Sequence, residues 1–122
     1  MLYHMDCCQL RRSAEIIELL KIGWQPRGRL FSDASYIDQW ALLRSEGEGV
    51  YRLVGQRWSL PMTKRIVTAP LIAINVAAGW ARLAEEWAVI GEPLAEALQE
   101  FVEADQVLRL ATSWLRQRLL EV

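Results

Sequence analysis

The sequence is short of the residues that most catalytic and metal chemistry needs. Its single histidine, His4, lies near the N-terminus, and its only two cysteines, Cys7 and Cys8, are adjacent. Imidazole and thiolate are the usual ligands of zinc, yet this set supplies three ligands at most, and neighbouring thiols do not easily take neighbouring tetrahedral vertices. No metal and no cofactor is therefore expected. Cys7 reads as a core-facing position of a helix and Cys8 as incidental. Adjacent cysteines also suit an ordinary disulfide badly, and the start MLYHMDCCQLRR lacks the basic-then-apolar layout of a secretory signal. The compartment this predicts is the cytoplasm. No apolar run reaches the roughly 18 to 20 residues needed to span a bilayer.

Nucleophilic catalysis is equally poorly served. No serine stands in an elbow motif, and the lone histidine leaves no triad to assemble. Glu85 and Glu86 are neighbours on a charged stretch, not two acids placed across a cleft. A non-enzymatic protein is expected.

What is present is apolar surface and a lopsided charge. With 122 residues, 52% of them apolar and 24% charged, the chain is globular in composition and has the length of one domain, read as 1–122. Six tryptophans (Trp24, Trp40, Trp58, Trp80, Trp87, Trp114) each want a largely buried ring and a partner for the N–H, and some are expected at an interface. Residues 1–65 hold ten Lys/Arg against seven Asp/Glu, and 66–122 hold four against eight. No acid occurs between Glu48 and Glu85, whereas Ala84 to Gln106 carries only acids. The surface should be bipolar.

Periodicity outlines an α+β fold. Cys7, Leu10, Ala14, Ile17 and Leu20 recur at helical spacing, so 6–22 is read as a helix that Gly23 terminates. GWQPRGRLFSDAS reads as a loop. SEGEG at 45–49 is a turn signal, and VYRLVGQRW beyond it alternates and is rich in β-formers. An antiparallel meander sheet of three to four strands follows, at about 39–45, 50–58, 65–75 and, on one of two readings, 79–90. Pro70 restricts its part of the third strand to an edge or a kink. The stretch after Asn75 stays open. Trp80, Leu83, Ala84, Trp87 and Ile90 fit one helix face with Asn75 as N-cap, while NVAAG fits a hairpin turn into a long strand. A C-terminal helical segment is expected at 93–120, with Pro93 in its first turn and Leu94, Leu98, Phe101, Leu108, Leu115 and Leu119 as its stripe. Val107, Leu110 and Trp114 fall off that stripe. They imply packing on two sides or a self-association surface, a homodimer through Leu110 and Trp114.

The succession IVTAPLIAIN then GWARLAEEWAVIGEPL resembles DUF6634, a family of small proteins of unknown function from α-proteobacterial plasmids and other mobile elements. The matching residues are Leu53, Val54 and Gly55, then Ile66, Thr68, Pro70, Leu71, Ala73 and Ile74, then Gly79, Trp80, Ala81, Arg82, Trp87, Gly91 and Pro93. The likeness covers about 36–94. It departs at Asn75, Leu83, Glu85, Glu86 and Ala88, where the family pattern has an acid, a threonine, a Ser-Arg pair and a tyrosine. The family's alternation of polar and apolar residues implies a strand at 79–90. Its setting implies a mobile element, and it implies no mechanism.

Two charged sets stand out as binding surfaces. Glu92, Glu96, Glu100 and Glu103 recur every three or four residues on the expected C-terminal helix and form a carboxylate row. Arg52, Arg57, Lys64 and Arg65, together with Arg82, are interleaved with Tyr51, Trp58 and Trp80, a pattern able to hold phosphates and stack bases. The sequence reading is thus a mobile-element-encoded inhibitor, anti-CRISPR-like. It would dock a protein partner, a host nucleic-acid-handling complex such as a CRISPR effector, through the acidic row or a tryptophan-bearing surface. The alternative is a small nucleic-acid-binding regulator working through the basic sheet surface.

Overall fold

The structure is a computed structural model describing residues 5–45, 47–58, 63–94 and 104–121. Helix α1 spans Cys7–Lys21, a 3-10 turn Gly28–Phe31, and five strands follow: β1 Ser35–Ser45, β2 Val50–Trp58, β3 Thr63–Asn75, β4 Trp80–Leu83 and β5 Trp87–Ile90. Helix α2, Ala104–Leu120, ends the fold. The α+β class and both flanking helices agree with the sequence reading. No helix among the described residues is long and apolar enough to cross a membrane.

The sheet does not. It is a closed barrel in the order β1-β2-β3-β4-β5, not a meander of three to four strands. Consecutive strands pair antiparallel, so with an odd number the first and last run the same way, and β1 meets β5 in parallel through Ser35, Tyr36 and Ile37 with Ala88, Val89 and Ile90. β1 thus starts at Ser35, four residues earlier than the hairpin pattern marks: Tyr36, Ile37 and Asp38 pair with β2 as well, but a bulge between Asp38 and Ala41 breaks the alternation there. The seam continues past β5: Trp40 N–H donates to the Glu92 carbonyl and Leu94 N–H to the Trp40 carbonyl. Pro93 is therefore extended, bridged to Trp40, and does not start a helix. The described part of the C-terminal helix begins at Ala104, and 95–103 lies outside the described residues.

The helix alternative for 76–90 is also overturned. Asn75 accepts the Ala78 N–H at 3.0 Å, and Gly79, at φ +80, donates to the Asn75 carbonyl. NVAAG is thus the hairpin turn. The strand after it is two strands, because Leu83 N–H closes onto the Glu86 carbonyl and turns the chain back at Ala84–Glu86. Trp80 and Arg82 then point outward and Ala81 and Leu83 inward, a period of two that tertiary pairing imposes over a helical one.

Two apolar groups hold the fold. Inside the barrel lie Ile37, Trp40, Tyr51, Leu53, Leu71, Ile74, Ala81, Leu83, Ala88 and Ile90, joined by Val107 of α2. Outside it, Val50 and Ile72 meet Leu10 and Ile17 of α1 and Ala111, Trp114 and Leu115 of α2. Asp6 caps α1 by a reciprocal pair with Gln9, its Oδ1 accepting the Gln9 N–H at 2.8 Å. Gly23, at φ +96, follows its end. Pro70 sits in a strand paired on both sides, and a bulge makes room for it: Thr68 Oγ1 accepts the Leu53 N–H at 3.0 Å.

Candidate functional site

The basic set does not form one surface. Arg57 stands opposite Lys64 and Gln56 opposite Arg65, and successive side chains on a strand point to opposite faces, so Lys64 and Arg65 cannot share one. Arg52 is half-buried and engaged inside the molecule. It donates to Glu48 at 2.8 Å and 3.1 Å and to the Thr68 carbonyl at 2.9 Å. Arg57 pairs with Glu86 at 3.0 Å. Lys64 and Arg65 are exposed and make no ion pair among the described residues.

Of the acidic row, Glu96, Glu100 and Glu103 lie outside the described residues. Glu92 is exposed but stands on the extended seam, its N–H held by Asp38 Oδ1 at 2.9 Å, so it does not continue a helix face. Of the expected self-association pair, Trp114 is buried and Leu110 half-buried. Trp114 is 5% exposed within the helix–barrel group, and Leu110 packs partly buried on the barrel group. The off-stripe residues Val107 and Leu110 pack on the barrel group and Trp114 on the helix–barrel group. Exposed Leu19, Ile22 and Leu120 lie nearer the helix ends. His4 is outside the described residues, Cys7 is half-buried and Cys8 exposed.

A different group comes together where α1, the 3-10 turn and the β4–β5 hairpin meet. Trp87 of β5 is the hub: Trp24 lies 6.2 Å away, Phe31 5.7 Å and Trp80 5.6 Å, centre to centre, the last two edge-on. Arg82, directly across the hairpin, lays its guanidinium carbon 5.2 Å from the Trp87 ring. α1 is locked onto this hairpin, with Ser13 Oγ donating to the Ala84 carbonyl at 3.1 Å and Gln9 Nε2 to Glu85 at 3.1 Å. That places Arg12 at the rim. Together Arg12, Ile16, Trp24, Leu30, Arg82 and Trp87, with Asp33, Glu85 and Glu86, border an open cleft of about 400 Å³.

Arg82 is the unusual member. It is 5% exposed, its Nε has no hydrogen-bond partner, and it forms no ion pair among the described residues. Burial lowers its pKa to about 10, the Arg12 charge adds to the fall, and Glu86 opposes it. Of the three carboxylates bordering the cleft, Glu86 is bound to Arg57 and Glu85 to Gln9, and Asp33 makes no ion pair among the described residues.

No family model, curated protein or solved structure matches the chain. Of the residues quoted from the GWARLAEEWAVIGEPL stretch, Arg82 and Trp87 line this cleft, and Trp80 packs edge-on against Trp87. Sequence reasoning grouped Arg82 with the basic strands and did not place Trp24 or Arg12 beside it. The signal available was the alternation in Trp80-Ala81-Arg82-Leu83, which puts an arginine on the same strand face as a tryptophan. Among the described residues no group of three or more His, Cys, Asp and Glu is placed to hold a metal.

Proposed function

We propose that this chain is a non-enzymatic binding protein and that the tryptophan–arginine cleft is its recognition surface. The observation that carries the reading is Arg82, a buried charge with no ion pair among the described residues, set against Trp87 and lining a cleft with Trp24 and Arg12. A buried unpaired charge is costly to fold around. Such groups are drawn together where something else completes them. Arginine and tryptophan are also the residues over-represented among binding hot spots.

The setting we infer is the one the DUF6634 likeness suggests: a mobile-element-encoded inhibitor that docks on a host nucleic-acid-handling complex such as a CRISPR effector. The test is a target-cleavage assay with purified effector complexes, run with the wild-type chain and with the cleft variants Trp24→Ala and Arg12→Glu. Suppression of cleavage by the wild type that both variants lose supports the reading. Suppression that survives both variants moves the surface elsewhere, and no suppression of any effector removes the inhibitor reading.

The nucleic-acid alternative keeps Lys64 and Arg65, exposed and without an ion pair among the described residues, with Trp58 exposed on the neighbouring strand. Arg52 and Arg57 are already bound to acids, which leaves that reading a smaller electrostatic term.

A further inference from the structure

We propose that the cleft over Arg82 is a receptor for a carboxylate carried on an apolar body, the acid seated between the Arg82 and Arg12 side chains and the body against Trp24, Leu30 and Trp87. This deepens the preceding reading and rests on its choice of surface.

The case begins with charge. Arg82 and Arg12 line the same cleft, the Arg12 charge helps to lower the Arg82 pKa, and no acid of the cleft is hydrogen-bonded to Arg82. Arg82 Nε is buried and has no acceptor. An anion entering between the two arginines relieves the repulsion and takes a place that no acid of the cleft fills by a hydrogen bond to Arg82. Charge-assisted bonds of this kind are the stronger ones, and the planar fork of arginine matches the planar carboxylate.

The walls decide which anion. Asp33, Glu85 and Glu86 border the same cleft, so a phosphate near a double negative charge meets three acids for two bases. A carboxylate, with one charge spread over two oxygens, meets less of that field. The remaining lining is apolar and aromatic, and a cleft of about 400 Å³ lies within the usual size of a small-ligand site, about 300 to 1,000 Å³. An acid without an apolar body would leave Trp24 and Leu30 uncovered. Two sources share this chemistry: a free small acid, and the C-terminal residue of a partner protein.

The experiment titrates the full chain, with no partner present, by tryptophan fluorescence and calorimetry. The probes are phenylpropionate, phenylpropionamide, inorganic phosphate, and a dipeptide ending in phenylalanine with a free or an amidated C-terminus. Saturable binding of the acids is expected, with the amides and phosphate weaker by about tenfold or more, the scale of a charge-assisted hydrogen bond. Arg82→Gln and Arg12→Gln should each weaken the acids by about tenfold. Arg12 lies on an exposed helix face, so its variant keeps the test decisive even where Arg82→Gln fails to fold. The free-acid dipeptide binding more tightly than phenylpropionate assigns the protein-borne source, and the reverse order assigns a free small acid. Equal binding of acid and amide, tighter binding of phosphate, indifference to Arg12→Gln, or no saturable binding of any probe overturns the proposal. Silent probes beside a cleavage assay that still responds to Trp24→Ala remove the carboxylate and keep the docking surface. Bound acids beside a silent cleavage assay do the converse.

Discussion

Arg82 and Trp87 are cross-strand partners whose side chains lie on the same outer face of the barrel, guanidinium against indole at 5.2 Å. The ring offers the charge a polarisable wall and no acceptor, so Arg82 stays charged at a cost. Its pKa of about 10 lies below the ordinary arginine range. Folding is therefore penalised wherever Arg82 is charged in both states, and the penalty fades as pH rises through about 10 towards the ordinary arginine range.

Arg82→Met should accordingly leave the unfolding free energy at neutral pH unchanged or raise it by up to about 2 kcal/mol, as replacing a buried charge by an apolar side chain often does. Urea unfolding of both proteins checks it. The wild-type stability relative to the variant should be flat below that pH range and climb within it. A loss of more than about 1 kcal/mol in the variant at neutral pH would show that Arg82 has a stabilising counter-charge in the fold.

The Glu48–Arg52 pair should behave in the opposite way. Its two side chains are 4% and 16% exposed, with an N–O distance of 2.8 Å. Glu48→Gln removes the negative member from a nearly dry site and should cost about 2 to 4 kcal/mol, while Glu48→Gln combined with Arg52→Met should recover much of the loss. A double-mutant cycle by denaturant melts gives the coupling. Additive losses would mean the pair is not the unit described.

Gly55 marks where β1 bulges against β2. A Cβ there would stand 2.7 Å from Ile37 Cγ2 and 3.0 Å from the Asp38 carbonyl oxygen, backbone that has little room to move. On β1 the bulge lies between Asp38 and Ala41 and holds Gln39 at φ 48. Gly55→Ala should destabilise by about 1 to 3 kcal/mol through overpacking. A thermal melt indistinguishable from wild type would show that the bulge relaxes freely.

The nucleic-acid alternative makes a quantitative forecast. With Lys64 and Arg65 as its free cations, log affinity for DNA should fall with log salt at a slope no steeper than about −2, at roughly 0.9 per phosphate contact. Electrophoretic shifts across a salt series measure it. A slope near −4 would mean that Arg52 and Arg57 leave their acids to reach phosphate.

Local chemistry made part of this fold readable. The helical stripe of α1, the glycine that follows it and the hairpin around Gly47 and Gly49 are all short-range features, and the structure has them where the pattern puts them. Long-range pairing was not readable. Trp80, Leu83, Trp87 and Ile90 fit a helix by spacing, and it is the pairing of β4 with β3 and β5 with β1 that overrides it. Pro93 likewise suits a first helical turn, and the seam with Trp40 overrides it. The cleft was hidden for the same reason. Its members come from Arg12, Trp24, Arg82 and Trp87, four places in the chain that no window of sequence spans. The charge blocks misled because a run of arginines along β2 and β3 says nothing of which side each one takes.

The barrel's seam has a temporal consequence during synthesis. Trp40 lies 2% exposed and gives its indole N–H to the Gly91 carbonyl at 2.9 Å, so its ring is housed by residues made some fifty positions later. A nascent chain released only as far as β3 can form its hairpins, but the inner face of β1 stays wet until the segment through Leu94 clears the ribosome. Until then the growing chain carries an open, tryptophan-bearing sheet, the kind of surface that chaperones hold.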